Sequence, residues 1–454
     1  MARPYSPASV AERACLDRCD IPTMNDLMRL HESSALFAWT SYTGGWFESV
    51  GSGYHNNVSA YDITSAYPHV MWWLPDCEHG EWIGTPYGES EEEAWEYLDK
   101  EWSHYALSYF EAEVIFPEGF NIYPAARKSE VAGCLMNPRI AVGFFTGDEI
   151  QEFRLWGAEI GIERWSAFIP LNDWDDAPDV QDGVRYPFRP FIEVFYGGKL
   201  EQDRLKEAGS PDYDPEKRAI QKLLANSLYG KTCQMIDGRT GGLWNPFYAS
   251  IITGGCRSRM GEIIRLNGHQ NILAVNTDGV IFQARSDEII PENPMPVHFN
   301  AERINLGDWD SDGDGALLLM MSGVYSILKE VVGDTVLKAK TTFRGSYSMF
   351  IDHRDDEGNL TSDLYGEDWF SFCKRYADEN EVQRNAELNP TMRPYSLGEA
   401  RIRSDFQLTN LFRIVDLSIR ACGDSNKRRW NRKPETFGDL LNEWFPSEPH
   451  EMMI

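Results

Sequence analysis

The residues in this chain with the means to do chemistry are carboxylates at turns and cations in helical register. Asp62 ends a short alternating segment, Val58-Ser59-Ala60-Tyr61. Thr64 and Ser65 follow it, with hydroxyls suited to capping a helix. Taken alone, Asp62 reads equally as a helix cap. Asp278 stands in Asn276-Thr277-Asp278-Gly279, a run of turn formers between two apolar stretches. Arg218, Lys222 and Asn226 recur every four residues. Two cations one helical turn apart suit a polyphosphate better than a single anion.

Three local elements must position these groups. Residues 58–62 read as a strand that delivers Asp62 to its end, with Tyr67 and Pro68 beyond the turn. In 218–230, Ile220, Leu223, Leu224 and Leu228 repeat at helical spacing and predict a core face. Gly230 is expected to end that helix. Residues 272–282 read as a β-hairpin with Asp278 at its tip.

Together these stretches resemble the motifs of family B DNA polymerases. Asp62 to Pro68 is similar to the family's Asp-x-x-Ser-Leu-Tyr-Pro, with Ala66 in place of Leu. Lys222 to Gly230 is similar to Lys-x-x-x-Asn-Ser-x-Tyr-Gly without departure. Asn276 to Gly279 resembles Asp-Thr-Asp-Ser, with Asn for the first Asp and Gly for the Ser. Tyr42-Thr43-Gly44-Gly45 reads by itself as a tight turn whose glycines permit close backbone approach to another chain or ligand. It resembles the Tyr-x-Gly-Gly motif of the protein-primed phage branch, which contacts template strand.

The resemblance implies an α+β right hand: a palm with an antiparallel β-sheet, helical fingers and a small thumb. The expected division is an N-terminal helical extension at 1–35, palm at 36–184 with a short insertion at 170–184, fingers at 185–231, palm again at 232–345, and a thumb or C-terminal region at 346–454. The reaction implied is addition of deoxynucleotides to a primer 3′ end by two-metal-ion phosphoryl transfer. Asp62 and Asp278 are the expected catalytic carboxylates and, with the Ile63 carbonyl, the ligands of two Mg²⁺ ions, which Mn²⁺ can replace. Arg218 and Lys222 are expected to hold the triphosphate, and Asn226 and Tyr229 to line the nascent base pair. Tyr67 is expected under the sugar, where a flat ring leaves no room for a 2′-hydroxyl.

DNA contacts are expected from Tyr42, Gly44 and Gly45. Gly323-Val324-Tyr325 resembles the family's Lys-x-Tyr with the primer-gripping Lys lost, leaving Tyr325. Lys338, Lys340 and Arg344 resemble the basic segment that follows it. Leu306-Gly307-x-Trp309 resembles a family motif that opens a strand, whereas Asp308 to Gly313, considered by itself, reads as an acidic turn. Lys427, Arg428, Arg429, Arg432 and Lys433 surround Trp430 in the densest basic run of the chain, a pattern suited equally to a nucleic-acid backbone and to an ordinary charged loop.

The net charge of −28 is unusual for a nucleic-acid binder and argues against tight non-specific DNA binding. No apolar run approaches the length of a membrane span, and the scattered Cys fit a reducing cytosol. A cytoplasmic protein is expected, in the host cytoplasm if phage-encoded. Primer–template DNA and dNTPs are the expected partners, with a terminal protein or processivity factor beside them. Only 61 residues precede Asp62, so proofreading is expected to be absent. A polymerase-derived binding scaffold and a primer-making or untemplated nucleotidyltransferase are the competing readings.

Overall fold

The structure, a computed structural model, describes residues 6–452 except 23, 85–89, 130–133, 237–238, 284–291, 300, 333–334, 435–436 and most of 344–426, where short strands alone are described; at 24–30, 236, 330–341, 343 and 437 it describes no more than the backbone.

The chain opens with helix α1 (Pro7–Leu16) and α2 (Met24–Ser41), the latter kinked at His31. Strands β1 (Phe47–Ser49) and β2 (Gly51–Ile63) follow, then α3 (Ala66–Trp72), β3 (Gly80–Ile83) and the acidic α4 (Glu91–Lys100). Strand β4 (Ser108–Ile115) leads to β5 (Ile140–Thr146), α5 (Gly147–Leu155) and β6 (Glu159–Pro170). The strand–helix–strand pattern arises locally: Thr146 and Glu149 form the capping box that starts α5. Strands β3 to β6 make a four-stranded antiparallel sheet in the order β3-β6-β4-β5.

Helices α6 (Arg189–Glu207), α7 (Pro215–Ser227) and the single turn α8 (Tyr229–Thr232) come next, then α9 (Pro246–Asn267). Asn245 caps α9 through the Tyr248 N–H at 3.2 Å, with Pro246 at its first position. Most of its residues are buried, Arg257 and Arg259 among them. It packs against α2, α3, α5 and β5.

The second sheet collects β7 (Ile272–Asn276), β8 (Gly279–Phe282), β9 (Trp309–Met321), β10 (Val324–Val332), β11 (Thr335–Phe343), β12 (Arg429–Trp430) and, after α10 (Phe437–Asn442), β13 (Trp444–Glu448). Its order is β1-β7-β8-β2-β9-β10-β11, with β13 joining the start of β2 and pairing β12. Strand β2 lies between β8 and β9 and is buried at both ends.

Several expectations need correction. Asp308 to Gly313 is not a turn: Trp309 onward is strand β9, paired residue by residue with β2 through two bulges. Gly230 does not end the motif helix; α7 stops at Ser227 and Gly230 lies inside α8. The apolar face of α7 is half wrong, because Ile220 and Leu223 are 55% and 48% exposed while Leu224 and Leu228 are buried. The helix has one packed side, against α6 and α1. Ser65 precedes α3 with φ at +52° and makes no side-chain cap. Residues 444–448, inside the expected thumb, return to the sheet of β2. Among the described residues no helix is long and apolar enough to cross a membrane.

Candidate active site

Strand register brings Asp62 and Asp278 together. Asp62, one residue from the end of β2, pairs with Gly279, the residue after Asp278. The Ile63 N–H donates to the Asp278 carbonyl at 2.8 Å. A Cβ on Gly279 would stand 3.1 Å from Asp62 Oδ1, so glycine leaves that carboxylate room. The Asp278 turn is fixed from a second side. Thr277, at φ +65°, donates its N–H to the Trp46 carbonyl at 2.7 Å. A Cβ on Gly45 would come within 2.7 Å of Thr277 Cγ2. The close approach that Gly45 permits is therefore to the Asp278 turn of the same chain.

A third carboxylate, passed over in the sequence reading, joins them. Asp310 pairs with Asp62 and Ser311 with Tyr61, but Gly313 is the partner of Ala60, so Asp312 is left over in a bulge. Bulges re-aim a side chain, and Asp312 lines the same cleft of about 320 Å³ as Asp62, Asp278, Asn276, Gly323 and Tyr325. Acids alternate with Trp, Ser and Gly through 308–315, a pattern that does not by itself single out Asp312. Burial pushes the Asp278 carboxyl above its ordinary pKa; a hydrogen bond from its own backbone opposes this, and the Asp312 charge adds to it. Among the described residues no three His, Cys, Asp or Glu are preassembled around one point. Carboxylates that share a cleft without forming a closed cage suit Mg²⁺, which keeps water and substrate phosphates in its shell. Its hard oxygen donors fit the ion the motifs imply.

Beside the cleft, Tyr67 on α3 and Tyr229 on α8 stack with ring centroids 3.8 Å apart and planes 30° apart. Burial raises the pKa of both phenols, so both stay protonated. Lys222 and Asn226 are exposed on α7. Arg218 is not free for phosphate as it stands: its guanidinium pairs with Asp203 of α6, which also takes Lys199 at 3.1 Å.

The Tyr42 turn is anchored from below. Arg257 of α9, 1% exposed, donates to the carbonyls of Thr43 at 2.6 Å and Gly44 at 2.9 Å, and pairs with Glu149 at 2.9 Å. Tyr42 itself stacks on Trp39 at 5.6 Å. Tyr325 is buried. Lys338 and Lys340 lie on β11, where the backbone alone is described, and Arg344 lies outside the described residues.

The basic run is largely absorbed by the fold. Arg428 is 3% exposed and pairs with buried Glu48, with Ser447 and the Asn121 carbonyl as further acceptors. The expectation that it contacts DNA is corrected by that burial. Lys427 donates to the Phe47 carbonyl at 3.2 Å, Arg429 pairs with Glu448 at 3.4 Å and Arg432 with Glu443 at 2.7 Å. The last three remain near the surface.

No protein-family model matches the chain. A curated relative, the DNA polymerase of Acidianus bottle-shaped virus (isolate Italy/Pozzuoli), is 23% identical over 292 residues, 63% of this chain and 37% of that protein. The chain thus spans well under half the length of that relative. Among solved structures, phi29 DNA polymerase in an orthorhombic crystal form covers 92% of this chain and 68% of its own, with a TM-score of 0.53 at 14% identity. Phi29 DNA polymerase complexed with primer-template DNA and incoming nucleotide substrates matches over the same shares with a TM-score of 0.53. The mixed helical and antiparallel fold of this chain resembles that of phi29 DNA polymerase.

Proposed function

We propose that this chain is a template-directed DNA polymerase that adds deoxynucleotides to a primer 3′ end. The observation that carries the reading is the pairing of β2 with the β7–β8 hairpin, which sets Asp62 beside the Asp278 turn, with the bulged Asp312 in the same cleft. Asp62 and Asp278 would hold two Mg²⁺ ions, which when bound neutralise the triphosphate and activate the primer 3′ oxygen. Asp312 adds charge on the same side. Lys222 meets the triphosphate from exposed α7, and Arg218 joins it on leaving Asp203. Tyr67 and Tyr229 close on each other where the sugar and base are expected, so an incoming nucleotide parts them. The Tyr67 ring then stands against the sugar and disfavours a 2′-hydroxyl.

In this reading the sheet of β2 belongs to the palm, α6 to α8 are the fingers, and the thumb is assigned to the C-terminal region, 346–454. Primer–template DNA and dNTPs are its substrates, and a terminal protein or processivity factor accounts for work on DNA by a chain of net charge −28. Its place is the cytoplasm, that of the host cell if the chain is phage-encoded. Synthesis without proofreading is part of the same proposal.

Extension of a 5′-labelled primer on a defined template tests the reading. With Mg²⁺ and all four dNTPs the primer lengthens according to template. Without dNTPs it is not shortened. Untemplated or no addition would overturn the proposal, and shortening would overturn the absence of proofreading.

A further inference from the structure

The first helix of the chain is tied to the segment that carries Tyr229. Glu12 of α1 bridges two points with one carboxylate: Oε2 lies 2.9 Å from the Lys231 ammonium, and Oε1 accepts the Gly242 N–H at 3.1 Å. Lys231 stands two residues after Tyr229 in α8 and is 6% exposed. Its ammonium also reaches Gln234 Oε1 at 2.8 Å and Ser9 Oγ at 3.4 Å, the latter again on α1. A helix as short as α8 does not hold itself together, and a buried ammonium keeps its place only while its charge is met. The counter-charge comes from α1. Because Glu12 also grips Gly242, it closes the loop that runs from α8 toward α9. Tyr229 stacks on Tyr67 at 3.8 Å, so a shift of α8 is a shift of that ring pair.

We propose that Glu12 is a positioning residue: through Lys231 it sets where Tyr229 stands against Tyr67, and so how readily a nucleotide enters between them. The nucleotide part of this proposal rests on the polymerase reading above.

Glu12→Gln keeps the size of the side chain and a carbonyl for Gly242 but removes the charge that Lys231 meets. The KM for the templated dNTP is expected to rise on the order of tenfold, with kcat changed by less than about twofold. Amide hydrogen exchange in 228–233, measured on the protein without DNA or nucleotide, is expected to quicken in the same variant. Lys231→Met added to Glu12→Gln removes the unmet charge while the Gly242 acceptor stays, and should return both readouts toward wild type. A Glu12→Gln protein with unchanged KM overturns the proposal, whether its melting temperature falls or not. If the wild-type chain adds no nucleotide, the polymerase reading fails separately, and the exchange rate alone decides: quicker exchange upholds the hold of α1 on α8, and unchanged exchange overturns it.

Discussion

Asn276 Oδ1 accepts the backbone N–H of Gly323 at 2.9 Å. The bond joins the turn that carries Asp278 to the turn between β9 and β10. These are two positions at which the chain departs from the family B pattern, and they meet in space. Gly323 has φ at +73°, a conformation that a lysine would adopt only with strain. Asn276→Ala removes one neutral hydrogen bond, worth about 1 kcal/mol, and loosens the Asp278 turn. The Mg²⁺ concentration for half-maximal extension should rise about fivefold, read from initial rates across a Mg²⁺ titration. An unchanged requirement would show that the bond does not steady Asp278.

Arg428 should matter to stability rather than to DNA affinity. Its partner Glu48 is 3% exposed and holds Trp46 Nε1 at 2.9 Å with its other oxygen. Arg428→Ala leaves that carboxylate buried without its cation, at a cost of about 3–5 kcal/mol, seen as a lower urea midpoint. The salt dependence of DNA binding should keep its slope. A slope reduced by about one unit would mark Arg428 as a phosphate contact after all.

Stability should carry the titration of Glu152. Burial pushes its carboxyl up to about 7, against the hydrogen bonds and charge of Arg265, which pull it down. A carboxyl raised in the folded state contributes stability that is fully present below its unfolded pKa and lost as pH rises through the folded value. Wild type should therefore lose stability relative to Glu152→Gln between about pH 4 and pH 7, by on the order of 3 kcal/mol, and the difference should be level above about pH 8. Urea unfolding of both proteins at pH 5 and pH 8 measures it. An equal difference at the two pH values would place the Glu152 pKa in the ordinary range.

What the sequence made legible was local. The hairpin at 272–282 and the helix through 218–227 are each specified within a few residues. The carboxylates Asp62 and Asp278 could be picked because short motifs surround them. Their meeting depends on β2 pairing with β8, which no local pattern states. Strand β2 hides most of its length behind Gly51, Gly53, Asn56 and Asn57, the last at φ +54°. Asp312 stayed hidden because a bulge, not an alternation, aims it. The Arg428–Glu48 pair spans 380 residues of sequence, so a run that reads as a DNA-binding patch is in part a core contact. Helix α9 starts at Asn245-Pro246, a cap signal that the apolar run after it obscures.

Tyr67 should govern sugar choice. Tyr67→Ala removes the ring that packs on Tyr229 and opens space beneath the nucleotide. The ratio of kcat/KM for dNTP over rNTP should fall on the order of a hundredfold, mainly through better use of the rNTP. Equal use of both sugars by the wild-type chain would remove Tyr67 from this role.

The most direct measurement is single-nucleotide insertion by the wild-type chain and by Asp62→Asn and Asp278→Asn, on a primed template with Mg²⁺ and the templated dNTP. Each variant keeps the shape of the side chain and loses the charge. The wild type should extend the primer, and each variant should be slower on the order of a thousandfold with an unchanged melting profile. Insertion within about tenfold of wild type by either folded variant would contradict the assignment of these two carboxylates as the catalytic pair.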